Sequence, residues 1–293
     1  MEKNNSLQGK IILVTGATDG IGKVTARELA KMGATTVVAG RNPEKTARTV
    51  MEIREASGNP AVDMLVGDLS SQVDVRRLAA EFRQRYDRLN VLVNNAGAYF
   101  MKRAESVDGI EMTFALNHLG YFLLTHLLLD ALKAGGPARI VNVSSAAHIG
   151  GRLNLNDLEM KQSFSGWGAY AQSKLANLMF TYELSRRLEG QEITVNALHP
   201  GFVDTNFGVS NGGLGGMLMN VAQKIGAISP EEGEETSIYL ASSPEVEGIS
   251  EKYFSKKKAV FSSRLSRDKA LWQTLWERSL EMTGLAERKA DAQ

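Results

Sequence analysis

The sequence predicts a single α/β domain, a doubly wound parallel sheet of about seven strands with helices on both faces. Two observations carry this. Short apolar runs rich in β-branched residues alternate with amphipathic, helix-length segments, and continuous apolar runs of that kind belong to parallel strands covered on both sides. The alternation continues to about residue 200 with no internal repeat and no low-complexity linker, so right-handed crossovers around one sheet account for it most simply. With 293 residues, 43% hydrophobic and 23% charged, the chain can bury a large core without staples.

Taken in order, the strands are Ile11–Val14, Ala34–Ala39, Met64–Val66, Val91–Val93, Ile140–Val143 and Ile193–Leu198, with a last one near Lys252–Phe254. The helices between them are Gly22–Met32, Pro43–Ala56, Val73–Tyr86, Ile110–Leu132 and Tyr170–Glu189. Residues 205–228, rich in Gly, Met and Leu, interrupt the rhythm as an insertion. Residues 255–293 form a tail in which Leu265, Trp272, Trp276 and Leu280 recur at roughly helical spacing, so it is read as a helical extension.

Composition removes several function classes. The net charge of +1 gives no basic surface for nucleic acid or an anionic membrane. With no cysteine in the chain, disulfides, thiolate nucleophiles and cysteine metal sites are excluded. His118, His126, His148 and His199 are scattered without ligand spacing, so no metal is expected. His199 is read as shaping the loop before Pro200, and Lys256–Lys258 as a solvated surface run. Met1–Lys10 holds no apolar signal core, and the most apolar helix candidate, Tyr121–Leu132, contains His126 and Asp130. That stretch is well short of the ~20 residues a membrane span needs. A cytoplasmic protein without a membrane span is therefore expected.

The first strand runs into Thr15-Gly16-Ala17-Thr18-Asp19-Gly20-Ile21-Gly22, and a helix follows. A tight turn that brings backbone close to a pyrophosphate needs glycine. The free N–H groups and dipole of the next helix then hold the anion. Strand, glycine turn and helix at the start of the chain thus predict a dinucleotide site. The second strand ends at Ala39-Gly40-Arg41, where a carboxylate would suit a free ribose 2′-hydroxyl and an arginine suits a 2′-phosphate. NADP is expected over NAD, with Asp19 as an opposing charge nearby.

From here the chain resembles the short-chain dehydrogenase/reductase superfamily over residues 8–254. The resemblance rests on TGATDGIG (15–22), GDLS (67–70), NNAG (94–97), Asn117, VNVSS (141–145), YAQSK (170–174) and HPG (199–201), in that order. It implies a Rossmann fold and a role for each piece. Asp68 would contact the adenine, with Leu69 beside it. Asn95, Ala96 and Gly97 would support the adenosine side and the central sheet. Asn117 would hold a water in a proton relay ending at Lys174. Ser145 would hydrogen-bond the substrate oxygen. Pro200, Gly201 and Val203 would line the nicotinamide, and Thr205 would reach its carboxamide or the phosphates. The wording TGATDGIGKVTARELA, YAQSKLANLMFTYELSRRLEG and LHPGFVDT is similar to the retinol-dehydrogenase-like reductases. Many of those carry an apolar anchor before the glycine turn, where this chain has ten polar or neutral residues, so membrane residence is not carried over.

Tyr170 and Lys174 are four apart on a helix and share one face. A nearby ammonium, together with an oxidised nicotinamide, favours phenolate and would lower the tyrosine's ordinary pKa of ~10. In reduction Tyr170 would hand a proton to the substrate oxygen, Ser145 would donate to that oxygen, and Lys174 would also hold the nicotinamide ribose. The insertion offers Phe207 and Met217, with Leu214, Leu218 and Met219, as an adaptable apolar surface. Tyr99, Phe100 and Trp167 could add aromatic wall. The expected partner is a small apolar carbonyl or alcohol. A reductase of conjugated C=C bonds, similar to protochlorophyllide reductases, and a non-catalytic NADP-sensing scaffold are the alternatives. Relatives often pair through helices 110–133 and 168–189, which leaves a homo-oligomer and a monomer both open.

Overall fold

A computed structural model describes residues 6–201 and 234–285. Its sheet has eight strands in the order β3-β2-β1-β4-β5-β6-β7-β8. The strands are β1 Ile11–Thr15, β2 Thr35–Gly40, β3 Val62–Val66, β4 Val91–Asn94, β5 Ala138–Val143, β6 Ile193–His199, β7 Lys252–Ser255 and β8 Lys258–Val260. All neighbours pair in parallel except β7 and β8. The strand order reverses between β1 and β4, the position where open α/β sheets hold ligands.

Alternation along each strand divides the core in two. Leu13, Val37, Leu92, Ile140 and Val195 face one layer. That layer is covered by α3 Gln72–Arg85, α5 Gly120–Leu127 and α7 Gly166–Arg187. Ile12, Val14, Val38, Val93 and Val141 face the other, covered by α1 Gly20–Lys31, α2 Pro43–Ser57 and α8 Glu235–Ser242. Helix starts are set by side-chain caps: Asp19, Asn42, Ser71 and Ser165 each accept an N–H of the turn they precede.

The expected doubly wound sheet of about seven strands is present, and two details differ. The sheet gains an eighth, antiparallel strand inside the stretch read as a helical tail. Lys256 and Lys257, at φ 50° and 61°, form a two-residue hairpin turn that needs the left-handed region at both positions. Such turns are normally marked by Asn or Gly, so a lysine pair gives no signal. The single helix expected over Ile110–Leu132 is interrupted. It runs as α4 Met112–Phe114, a π-helical turn Ala115–Leu119, α5, and α6 Leu129–Ala134.

The tail still supplies a helix, α9 Lys269–Met282, with Trp272, Leu275 and Trp276 buried. Trp276 stacks on Phe180 at 6.0 Å between ring centres and meets Phe122 edge-on at 5.0 Å. The Arg187 guanidinium lies 4.3 Å above its ring, a favourable cation–π arrangement. Thus α9 packs in cis over α5 and α7.

Candidate active site

The site forms where β1, β2, β4, β5 and β6 end. At β1 the chain turns at Gly16 with φ +62°, a conformation open to glycine and strained for most residues. A Cβ there would also lie 2.6 Å from Ala96 Cα. The turn and the end of β4 are sewn together. Thr15 Oγ1 accepts the Asn95 and Ala96 N–H groups at 2.9 and 3.1 Å. Asn95 Nδ2 donates to Thr15 O at 2.9 Å and Gly16 O at 3.2 Å. Beyond the turn, Ile21 and Gly22 lie in the first turn of α1, where backbone N–H groups have no intrahelical acceptor. Asp19 caps Gly20 N–H and pairs with Lys45 Nζ at 2.8 Å. Thr18 lies against Gly40 at the end of β2. Arg41 follows, exposed, and among the described residues no carboxylate pairs with it. Asp68 Oδ1 accepts Ser70 N–H and hydroxyl at 2.9 and 2.7 Å, and Leu69 beside it is buried.

Helix α7 brings the reactive groups to this edge. Lys174 is 3% exposed and its ammonium donates to Val143 O, the last residue of β5, at 3.1 Å. It lies 5.6 Å from the Tyr170 ring centre and 5.9 Å from that of Tyr121, and among the described residues it has no carboxylate partner. Burial pulls it down to about 7. Burial pushes the Tyr170 phenol up to about 12, against a hydrogen bond with Ser145 that acts the other way. In the protein by itself burial dominates both groups; the expected lowering of the phenol by the ammonium together with an oxidised nicotinamide belongs to the cofactor-bound site. Tyr99 meets Tyr170 edge-on at 6.1 Å and the half-exposed Trp167 lies at 6.0 Å.

Asn117 sits in the π-helical turn and is fully buried. Its Oδ1 accepts Ala98 N–H at 2.9 Å, and its Nδ2 donates to Ala98 O and Ser173 Oγ, both at 3.0 Å. The side-chain amide is engaged at both ends, and the backbone carbonyl accepts Asn177 Nδ2–H at 2.9 Å with a second lone pair to spare. Gly97 closes the group: a Cβ there would lie 3.2 Å from Asn117 Oδ1 and 3.4 Å from Lys174 Nζ. His199 Nδ1 accepts Ala146 and Gly201 N–H groups at 3.3 Å each, tying the end of β6 to the turn after Ser145. Pro200 and Gly201 are half-buried there. Val203, Thr205, Phe207, Met217 and the whole 205–228 insertion lie outside the described residues.

Sequence reasoning did not single out Thr15, Ser173 or Asn177. All three act through contacts between distant segments, and their place inside the quoted stretches was the signal available for them. Among the described residues no group of three His, Asp or Glu side chains is placed to hold a metal.

A glycine turn at a sheet's switch point, with a Ser–Tyr–Lys group at the neighbouring strand ends, defines an oxidoreductase on a dinucleotide-binding fold. The profile described as short chain dehydrogenase matches residues 10–212, and the chain belongs to that family, in its retinol-dehydrogenase-like branch. Human retinol dehydrogenase 14 is 42% identical over 294 residues, covering 95% of this chain and 88% of that protein. Human polyprenol dehydrogenase is 40% identical over 290 residues, covering 94% and 86%. Among solved structures, the Pseudomonas aeruginosa RhlG/NADP active-site complex is similar with a TM-score of 0.68 at 28% identity, covering 87% of this chain and 97% of that one.

Proposed function

We propose that this chain is an NADP(H)-dependent oxidoreductase that interconverts an alcohol and a carbonyl on an apolar, retinoid-, steroid- or lipid-like substrate. The observation that carries the reading is the buried Tyr170 phenol, hydrogen-bonded to Ser145 and flanked by the Lys174 ammonium, at the strand ends beside the glycine turn.

The residues present fit a dinucleotide. The Ile21 and Gly22 amides and the dipole of α1 suit a pyrophosphate. A buried ammonium donating to one backbone carbonyl suits ribose hydroxyls. Among the described residues no acid pairs with Arg41, and Asp19, the opposing charge, is paired with Lys45; both support a 2′-phosphate and hence NADP over NAD. When bound, the nicotinamide supplies or accepts the hydride.

The protein's part is proton and charge control. In reduction the Tyr170 phenol donates its proton to the substrate oxygen while Ser145 Oγ donates a hydrogen bond to the same atom. In oxidation the roles reverse, and the substrate hydroxyl proton passes to Tyr170. Lys174, charged, favours phenolate over phenol and so assists that direction. Asn117 is locked by its side chain to Ala98 and Ser173, and its backbone carbonyl would hold the water of the relay that ends at Lys174. The aromatic faces of Tyr99 and Trp167 next to Tyr170 favour an apolar substrate, and the names of the two human relatives are those of enzymes for retinol and a polyprenol, both isoprenoid alcohols.

NADPH and NADH oxidation against retinal-like, steroid-like and short polar carbonyls tests this. The reading expects kcat/KM to favour NADPH over NADH by about tenfold or more, the scale of one charge-assisted phosphate contact, and apolar aldehydes or ketones over sugars. Faster turnover of polar sugars, or equal use of both cofactors, would contradict it.

A further inference from the structure

The backbone of Asn117 is also held from the far side, by a chain of polar side chains that crosses the core and ends on the last helix. Asn177, one turn beyond Lys174 on α7, donates from Nδ2 to Asn117 O at 2.9 Å. Its Oδ1 lies 3.3 Å from His118 Nδ1, and His118 Nε2 lies 3.0 Å from Ser279 Oγ on α9. Asn117, His118, Asn177 and Ser279 are all 0% exposed. The Asn177 amide sets the hydrogens. Its NH2 faces the Asn117 carbonyl, so its oxygen accepts Nδ1–H, and Nε2 is left to accept the Ser279 hydroxyl. Ser279 Oγ also lies 2.8 Å from Leu275 O, so its one proton is shared between two acceptors. The ring is neutral, since burial pulls it down to about 4, and it is wedged between Phe114 and Phe180.

Buried polar groups are unfavourable unless each finds a partner. Here they all do, and the chain ends on the carbonyl of Asn117, whose side chain borders Gly97 together with the Lys174 ammonium. The same residue's side chain is gripped by Ala98 and Ser173 from the other side. A π-helical turn widens the helix locally and recurs at functional sites, so the Asn117 carbonyl needs an external hold to keep one position.

We propose that Asn177, His118 and Ser279 are positioning residues for the reaction, through which helix α9 holds the Asn117 carbonyl in place for the proton relay beside Lys174. This rests on the function proposed above. None of the three hydrogen-bonds to Tyr170, Lys174, Ser145 or the glycine turn, so their effect is expected on turnover rather than on binding.

The test compares Ser279→Ala and Ser279→Thr in the full chain with NADPH and an apolar aldehyde. Removing the hydroxyl leaves Nε2 without a donor. The expected result is a fall in kcat of about tenfold, the scale of one buried hydrogen bond, with both KM values within about twofold and full rescue by threonine. Unchanged kcat in Ser279→Ala, a change confined to KM, or a loss that threonine does not restore in a folded protein would each overturn the proposal. His118→Gln, which keeps a donor and an acceptor, serves as a second variant and is expected to retain more turnover than His118→Phe at equal thermal stability; equal losses would count against it. Tyr170→Phe in the same assay separates the two levels. If it keeps wild-type turnover, the proposed function fails; if it is inactive while Ser279→Ala is normal, only the positioning role fails.

Discussion

At the scale of single residues, Lys174 is held in a place that opposes its charge. Its ammonium is buried, donates to one backbone carbonyl and is pulled from 10.5 down to about 7. The folded chain therefore binds fewer protons than the unfolded chain between those values, and stability contributed by this site rises with pH across that window. The penalty is complete below about 7 and gone above 10.5. Lys174→Met is accordingly expected to stabilise the cofactor-free protein at pH 6 by a few kcal/mol, since each tenfold change in proton affinity is worth about 1.4 kcal/mol. The same change is expected to abolish turnover. Denaturant unfolding at pH 6 and pH 9 checks this. An equal gain at both values, or no gain at pH 6, would contradict it. A site that is destabilising alone and suited to a polar ligand is what a binding group should look like.

At the scale of elements, legibility followed the range of the contacts that fix each one. The inner strands were readable because β-branched runs and flanking glycines are local signals. The glycine turn was readable because its backbone demands glycine at Gly16 whatever lies around it. Helix α7 and the Tyr170–Lys174 face followed from a four-residue spacing. The elements that escaped are those set by partners far away in sequence. The turn Lys256–Lys257 is accepted because β7 and β8 pair on either side of it. The π-helical turn at Ala115–Leu119 follows Glu111, whose buried carboxylate accepts the Thr113 and Phe114 N–H groups. It is held at Asn117 by residues 98, 173 and 177. His118 read as an isolated histidine because its partner, Ser279, stands 161 positions later. The motifs thus gave the reacting groups and named some of their holders, such as Thr15 and Ser173, without showing what those holders grip.

At the scale of the whole molecule, the tail changes which faces are available. Relatives often pair through helices around residues 110–133 and 168–189, which left a homo-oligomer and a monomer both open. In this chain α9 covers that face, with Trp272, Leu275 and Trp276 buried against α5 and α7. The apolar surface that α9 buries is not open to a second copy while α9 is docked, and a monomer is the expected state. Chromatography with light scattering is expected to give a mass near 31.9 kDa; a stable species of twice that mass would show that another face pairs. Among the described residues no helix is long and apolar enough to cross a membrane.

All three scales meet at one phenol. Burial keeps Tyr170 protonated, Ser145 aims at it, Lys174 stands beside it, and α7, α5 and α9 hold that group at the end of the sheet. Single-turnover reduction of an apolar aldehyde by Tyr170→Phe, with NADPH binding followed in parallel by fluorescence, tests this directly. Turnover is expected to fall by at least about a thousandfold, within the range of a positioned general acid, while the NADPH Kd stays within about threefold, a change below one kcal/mol. Turnover near that of the wild type with NADPH still bound would contradict it.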